Sequence, residues 1–502
     1  MIVNVRCVIY TVPMCEVSVP PPGISDDDWA ATPPPVRELV GTLQTTVTHL
    51  YQQVAQLQER LQQNSQNSSR PPSADPPHSR PRPPRTPSGR QPGGQPGHVG
   101  HSRPRQPAAE VTRVVDIQPI ACARCGALLL GADPTPVCHQ VTDLPRVGPE
   151  VVEYRQHTVP CLVCGAHTQA DLPATVPASS FGPRLQGTVG YLTGRLGLSQ
   201  RDVAETLDTV FHTDLSLGSV PALEQAVSTA LAAPVEQAHH YVQQQAVVNA
   251  DETGWREKAQ RGWLWLATTP QVTVFLIQRS RSKVAAQHLL GATFAGILGS
   301  DRYPAYRWVA VEQRQVCWAH LQRDCQALVE RGAESARLGQ ALLAQVHQMF
   351  DLWYQVRAGT LNRAEFQTAM TPIRHQVGEL LREGAAVPHP KTSHTCANIL
   401  KLEAALWTFV TVAGVEPTNN NAERPLRRAV LWRRRSFGTQ SAAGSQFVAR
   451  VLTAVTTLRQ QRRDVLDYLT AAGAAAICGA EAPSLLPAPQ TVQPAADLLS
   501  PN

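Results

Sequence analysis

QQQAVVNADETGWRE, residues 243–257, runs an apolar, β-prone stretch from Ala246 to Val248 into an acid, Asp251. GWLWLATTP (262–270) and QVTVFLIQ (271–278) follow and read as two more strands joined at Thr-Thr-Pro-Gln. SKVAAQHLLG (282–291) then reads as a helix, and GILGS (296–300) as a short strand that delivers Asp301 in SDRYPAY. Three strands, a helix and a fourth strand make an α/β layer. Both aspartates are expected at strand ends, where a sheet can aim them into one cleft.

A third acid comes much later. TNNNAERPLRRAVLWRRRSFG (418–438) sets Glu423 among six arginines. Asn419 to Asn421 are expected to cap a helix that Pro425 helps to start, which fixes Glu423 in the first turn. Three carboxylates offer hard oxygen ligands for two Mg²⁺ (or Mn²⁺) ions, cations that keep some water and take few protein ligands. Arg424, Arg427, Arg428, Arg433, Arg434 and Arg435 would balance the acids and meet DNA phosphates through bidentate guanidinium contacts. Taken singly, each acid has a plainer role: a turn or cap for either aspartate, an ion pair with Arg427 for Glu423. As a set, with this strand order, they fit a ribonuclease-H-like catalytic core.

Between Asp301 and Glu423 the stretches LGQALLAQVHQMFDLWYQV and LNRAEFQTAMTPIRHQVGELLREG have helical periodicity, so a helical insertion is expected at 331–400. The core then comprises 241–330 and 401–475. Upstream, Val36, Val40, Leu43, Val47, Leu50, Val54, Leu57 and Leu61 form a heptad seam, so a coiled coil is expected over 32–63 and with it a homo-oligomer. A single amphipathic helix packed on the chain's own core is the alternative. Residues 70–107 hold twelve prolines, seven arginines and one acid. Such a stretch buries too little apolar surface to offset its ordering entropy, and 64–115 reads as a disordered basic linker that spaces domains or follows DNA phosphates.

CARC (122–125) and CLVC (161–164) supply two thiolate pairs, the soft ligand set of one closed structural zinc site, so 116–176 reads as a zinc ribbon held by Cys122, Cys125, Cys161 and Cys164. Cys138, His139 and His167 are close enough in sequence to be rival ligands. LSQRDVAETL and LGSVPALEQAVSTAL give 177–240 a helix-turn-helix-like pattern, with Ser199 and Ser219 as N-caps. Specific DNA reading and simple packing both remain open for it. Residues 1–31 read as an irregular extension and 476–502 as a disordered tail.

The chain has 502 residues and a net charge of only +6, but its cations are clustered. No apolar run nears the roughly 20 residues that span a bilayer, and MIVNVRCVIYTVPM lacks the pattern of a signal peptide. A cytoplasmic, nucleoid-associated protein with no membrane partner is expected. Eleven cysteines in such a chain suit metal binding better than a disulfide framework.

Several motifs in one order carry a resemblance: QNSQNSSRPPSADPP (63–77), GGQPGHVGH (93–101), the two CxxC pairs, DETGWR (251–256), SDRYPAY (300–306), CWAHLQRD (317–324) and NNNAERPLRR (419–428). With them the chain resembles transposases of the insertion sequence 66 family, in the Asp-Asp-Glu class, over about residues 35 to 470. The resemblance implies metal-dependent cleavage at transposon ends and strand transfer into target double-stranded DNA, with Asp251, Asp301 and Glu423 as the triad. It also implies a helical insertion and a need for accessory proteins of the same element. The family's Cys-x-x-His signature falls on Cys317 and His320; two ligands on one helical turn look structural, and His320 either orients groups near the acids or packs beside Trp318. Two other readings stay open: a ribonuclease-H-like nuclease that cuts without joining, and a non-catalytic zinc-ribbon DNA-binding regulator.

Overall fold

The computed structural model describes residues 20–21, 23–65, 68–70, 75, 104–131 and 133–488. They divide into two compact units, one made of residues 1–82 and 322–343, the other of 83–321 and 344–502.

In the first unit the dominant element is a helix, α1 (Pro34–Gln62), whose prolines at the first two positions preset φ where no backbone donor is needed. Val36, Leu43, Val47, Leu50, Val54, Leu57 and Leu61 lie exposed along it. The extension before it is not wholly irregular: Asp26–Ala31 is a helical turn and a half, capped by the Ser25 hydroxyl on the Asp28 amide. Past α1, Ser65 bonds Asp75 through its amide and hydroxyl, and Ser69 does the same with Glu330. Most of the expected linker, including GGQPGHVGH, lies outside the described residues.

The second unit opens with a small antiparallel hairpin, β1 (Thr158–Pro160) and β2 (His167–Gln169). Helices α2 (Pro183–Tyr191), α3 (Gln200–Phe211), α4 (Ser219–Ala230) and α5 (Ala232–Gln243) follow. Ser199 caps α3 as expected, in a reciprocal capping box with Asp202. Ser219 does not cap α4; it is the first helical residue, after Gly218, and its amide is taken by the Ser216 hydroxyl. Val189, Val203, Leu207, Val220 and Leu223 give α2, α3 and α4 an apolar core of their own, while Val235, Ala238 and Val242 of α5 pack into the main core.

The central sheet has five strands: β3 (Val247–Glu257), β4 (Gln260–Thr268), β5 (Thr273–Gln278), β6 (Ile297–Ser300) and β7 (Arg314–Val316). Their order is β5-β4-β3-β6-β7, antiparallel among the first three and parallel from β3 to β7. The turn between β4 and β5 falls where the sequence placed it, and the Thr269 hydroxyl accepts the amides of Gln271 and Val272. A crossover through α6 (Lys283–Leu290) makes the β3–β6 pair parallel. β7 is a strand the sequence pattern does not announce: its Arg314 and Gln315 are polar yet buried, so no apolar alternation marks it.

After β7 come α7 (Trp318–Val329), α8 (Ala333–Arg357), α9 (Arg363–Ala386) and α10 (Pro390–Leu400), which cover both stretches read as a helical insertion. Then α11 (Asn420–Ser436), α12 (Ala442–Gln460) and α13 (Val465–Ile477) close the fold. α12 covers the free edge of β5: Thr457 and Thr453 hydroxyls accept the amides of Thr273 and Phe275 at 3.0 and 2.9 Å. α2 packs on α13 so closely that a Cβ on Gly187 would sit 2.9 Å from the Thr470 amide nitrogen. The tail is ordered further than expected, since Leu485 is fully buried in the main core and Tyr468 donates to the Pro483 carbonyl. Among the described residues no helix is long and apolar enough to cross a membrane.

Candidate active site

Asp251 and Asp301 meet through strand register. β3 pairs with β6 as Val247 with Ile297, Val248 with Leu298 and Asn249 with Gly299, a constant offset of 50. The next residues carry that offset past the ladder, so Asp251 and Asp301 hold equivalent positions just beyond the parallel segment. Asp301 is indeed past the end of its strand. Asp251 is not: β3 runs on to Glu257 as one arm of a long hairpin with β4, and Asp251 faces Leu266 across it. What ends at Asp251 is its pairing with β6, because that short strand stops first.

Local backbone donors fix both carboxylates. Tyr303 N–H donates to Asp301 Oδ1 at 2.8 Å, a short loop of the kind aspartate favours after a strand. Glu252 N–H donates to Asp251 Oδ1 at 2.8 Å. The Asp251 carboxyl nevertheless titrates well above the usual aspartate value. Burial is the largest cause, followed by the negative charges of Glu252, Asp301 and, more weakly, Glu423.

Among the described residues Glu423 does not close with the two aspartates into one set of ligand atoms; its place is set through Asn419. Asn419 was expected to cap α11 through its side chain, and it does stand at the N-cap position, but its side chain makes no capping bond. Only 1% exposed, it turns inward, donating from Nδ2 to the Ala250 carbonyl and accepting at Oδ1 from Asn249 Nδ2, each at 2.9 Å. Its own N–H donates to Cys317 Sγ at 3.2 Å. One residue thus pins the start of α11 to β3 and to the residue before α7. Glu423 lies one turn into the helix, and Pro425 sits inside it rather than at its start. At the other end of α11, Arg433 Nη1 donates to the Thr253 hydroxyl at 3.1 Å and to the Gly254 carbonyl. Asn249, Asp251 and Thr253 alternate onto one face of β3, so α11 spans the face that carries Asp251.

Glu423 faces His320 rather than Arg427. His320 Nδ1 and Glu423 Oε1 are 3.7 Å apart, both side chains about one-third exposed, while the Trp318 ring packs tilted against Trp407, 4.9 Å between centres. Cys317 is buried, which pushes its thiol up to about 11. The ligand atoms of Cys317, His320 and Glu423 lie within 4.8 Å of one another, so the histidine and cysteine that looked short of partners gain a third from α11.

Beneath the acids lies a carboxylate that the sequence reading passed over. Glu252, its side chain 1% exposed, takes Arg281 Nε and Nη2 on one oxygen at 2.9 and 2.6 Å and the Tyr306 hydroxyl on the other at 2.5 Å. Arg281 also stacks over Tyr303, 3.6 Å from the ring centre, and Tyr303 donates its hydroxyl to the Arg281 carbonyl. DETGWR and SDRYPAY are therefore joined twice over. The available signal was that Glu252, Tyr303 and Tyr306 all lie inside those two motifs.

The six arginines separate into two groups. Arg428 bonds the Arg195 carbonyl at 2.7 Å, its value brought down to about 10 by burial and then by Arg195 and Arg459, and Arg433 is bound to β3. Arg424, Arg427, Arg434 and Arg435 are exposed. The cysteine pairs form matching turns. Gly126 and Gly165 donate back to the carbonyls of Cys122 and Cys161 at φ +74° and +75°, a conformation that favours glycine. Backbone amides within each turn, with the second thiol of the pair, lower the titration of Cys122 and Cys161. Among the described residues the two turns' four sulfurs do not close into one cluster, nor do Cys138, His139 and His167 join them.

Residues 179–447 match the family described as Transposase IS66 family, and residues 28–104 a family of unknown function, DUF6444. Over 240 residues the chain is 28% identical to the uncharacterized protein y4qI of Sinorhizobium fredii (strain NBRC 101917 / NGR234), covering 42% of this chain and 43% of that protein. A second protein of that organism, the uncharacterized y4hP, is 25% identical over 407 residues, 72% of this chain and 71% of its own. The chain thus spans under half of the first relative's length.

Proposed function

The chain belongs to the IS66 transposase family, and from that membership we propose that it cuts double-stranded DNA at the ends of a mobile element and joins the freed ends to target DNA. Asp251, Asp301 and Glu423 are its catalytic acids in this reading. The observation that carries it is the crowding of carboxylates on Asp251, a half-buried acid whose ionised form is costly with the charges of Glu252, Asp301 and, more weakly, Glu423 around it. The strand order supports a ribonuclease-H-like core, with the two aspartates just past the parallel β3–β6 pairing.

By their chemistry the three acids suit Mg²⁺ or Mn²⁺, two ions in this reading. All three acids present hard oxygens, and Glu423 Oε1 is buried without a protein hydrogen bond. When bound, such a pair supplies Lewis-acid stabilisation of the attacking and leaving oxygens in an in-line displacement. The chain's residues do the positioning. Tyr303 N–H and Glu252 N–H orient the two aspartates, Asn419 sets the height of α11, and His320 stands by Glu423. Water attacks the phosphodiester at the element's end and frees a 3′-hydroxyl; that hydroxyl then attacks a target phosphodiester and displaces its 3′-oxygen. No protein nucleophile takes part.

The exposed Arg424, Arg427, Arg434 and Arg435 meet DNA phosphates, while Arg428 and Arg433 brace α11 from within. Cys122, Cys125, Cys161 and Cys164 hold one structural Zn²⁺. Supporting this, the described residues of 116–176 leave Ile117, Val137, Leu162 and Val163 exposed and build no apolar core of their own. The exposed seam of α1 pairs chains into a homo-oligomer that brings two ends together, and accessory proteins of the same element assist. The test is incubation of the purified protein with DNA carrying the element's ends. Nicking at the terminal 3′ ends with Mg²⁺ or Mn²⁺ and none in chelator is expected, and metal-independent DNA binding without cleavage would instead establish a regulator.

A further inference from the structure

The segment that follows Asp301 lines a cavity of its own. It has a volume of about 700 Å³ and is lined by Arg302, Arg307 and Arg314 from the segment after β6, and by His394, Asn398 and Lys401 from α10 and its end. No acid lines it. The rest of the wall is apolar, formed by Val309, Val311 and Leu402.

Arg314 is the unusual member. It is 1% exposed, and its Nη2 donates to the Asp301 carbonyl at 3.0 Å and to the Ser300 hydroxyl at 3.3 Å. Its Nε is buried with no hydrogen-bond partner. Burying a guanidinium and leaving a donor unused is costly, and an anion in the cavity would offset that cost. Arg307 and Lys401 are exposed at the cavity's mouth, which leaves both able to meet an anion entering from solvent. A lone phosphate would fill little of this volume. The mixed wall suits a larger group, with a phosphate against the cations and a sugar and base against Val309, Val311 and Leu402.

We propose that this cavity is a nucleotide subsite, taking one nucleotide of the DNA strand that leads away from Asp301. The proposal rests on the DNA-processing reading above and extends it to how the strand is held. Arg314 touches both sides, contacting the ligand and, through the Asp301 carbonyl, the loop that carries the acid.

The test is binding of the full chain to a fluorescently labelled single strand and to a duplex, in chelator so that cleavage plays no part, at several salt concentrations. Arg307→Glu with Lys401→Glu alters two exposed side chains, and an unchanged melting curve checks the fold. The expected result is binding about tenfold weaker, with a salt slope shallower by about 1 to 2. Arg307→Lys with Lys401→Arg should keep most of the affinity. Equal affinity and slope in the charge-reversed variant would overturn the proposal. So would a variant that loses binding of a free nucleotide or pyrophosphate but binds DNA as before, since the cavity would then serve a soluble phosphate ligand. Failure of the unaltered protein to bind any DNA would bring down the broader reading, an outcome distinct from these.

Discussion

Replacing Asn419 with alanine removes the side chain that ties α11 to β3. Two hydrogen bonds go, one to the Ala250 carbonyl and one from the Asn249 amide, both at 2.9 Å. The site is almost fully buried, so the Ala250 carbonyl is left without that donor away from water, a loss of roughly 1–3 kcal/mol. Asn249 is half-buried and regains water, so its share is about 1 kcal/mol. Together the variant should lose about 2–4 kcal/mol, read as a shift of the denaturant midpoint at unchanged slope. Activity should fall further than stability. Glu423 is one helical turn from Asn419, and a displacement of about 1 Å at such a group costs on the order of 100-fold in rate. Cleavage should therefore drop about 100-fold under conditions where the variant is still folded. A variant within 0.5 kcal/mol of the parent, as roughly a surface substitution would be, and cutting at full rate would refute the idea that Asn419 sets the position of Glu423.

Glu224, on α4, is buried against Gln200 of α3 and Thr193 in the turn after α2, and burial raises its carboxyl above the ordinary 4.5 despite bonds from both. Its native state keeps a proton that the unfolded chain has released, so stability is lost as pH rises from about 4.5 through the raised value. Glu224→Gln should flatten that slope in melting curves taken from acid to neutral pH, and an unchanged slope would contradict it. Cys161→Ser should abolish stoichiometric zinc, measured by elemental analysis, and make residues 116–176 sensitive to protease; full zinc content in the variant would count against the four-cysteine site. Leu43→Asp with Leu50→Asp places charges on the α1 seam and should shift the protein to a monomer in light scattering. An unaltered mass would leave the seam without a partner helix.

The central sheet was legible where burial follows apolarity. β3 to β6 are runs of Val, Leu, Ile and Trp, and the acids stand next to them, so strand order and the positions of Asp251 and Asp301 could be read locally. β7 could not, because Arg314 and Gln315 are buried through partners far along the chain: Thr408 donates to the Arg314 carbonyl, and Gln315 bonds both the Leu406 carbonyl and the Phe409 amide. Asn419 shows the same limit. In sequence it reads as a cap, yet its side chain bonds residues about 170 positions earlier. Glu252 was hidden for a related reason: beside Asp251 it looks like one more surface acid, and only the fold brings Arg281 and Tyr306 to it. The tail misled in the other direction, since alanine and proline suggest disorder where Leu485 in fact docks into the core.

The central claim is that Asp251, Asp301 and Glu423 form one active site that both cuts and joins DNA. Its most direct measurement is strand transfer from labelled element ends into a plasmid with Mg²⁺, comparing the parent with Asp251→Asn, Asp301→Asn and Glu423→Gln. Joined product from the parent and none above background from any of the three, all with intact melting curves, is the predicted result; joining at the parental rate by any one of them would contradict it.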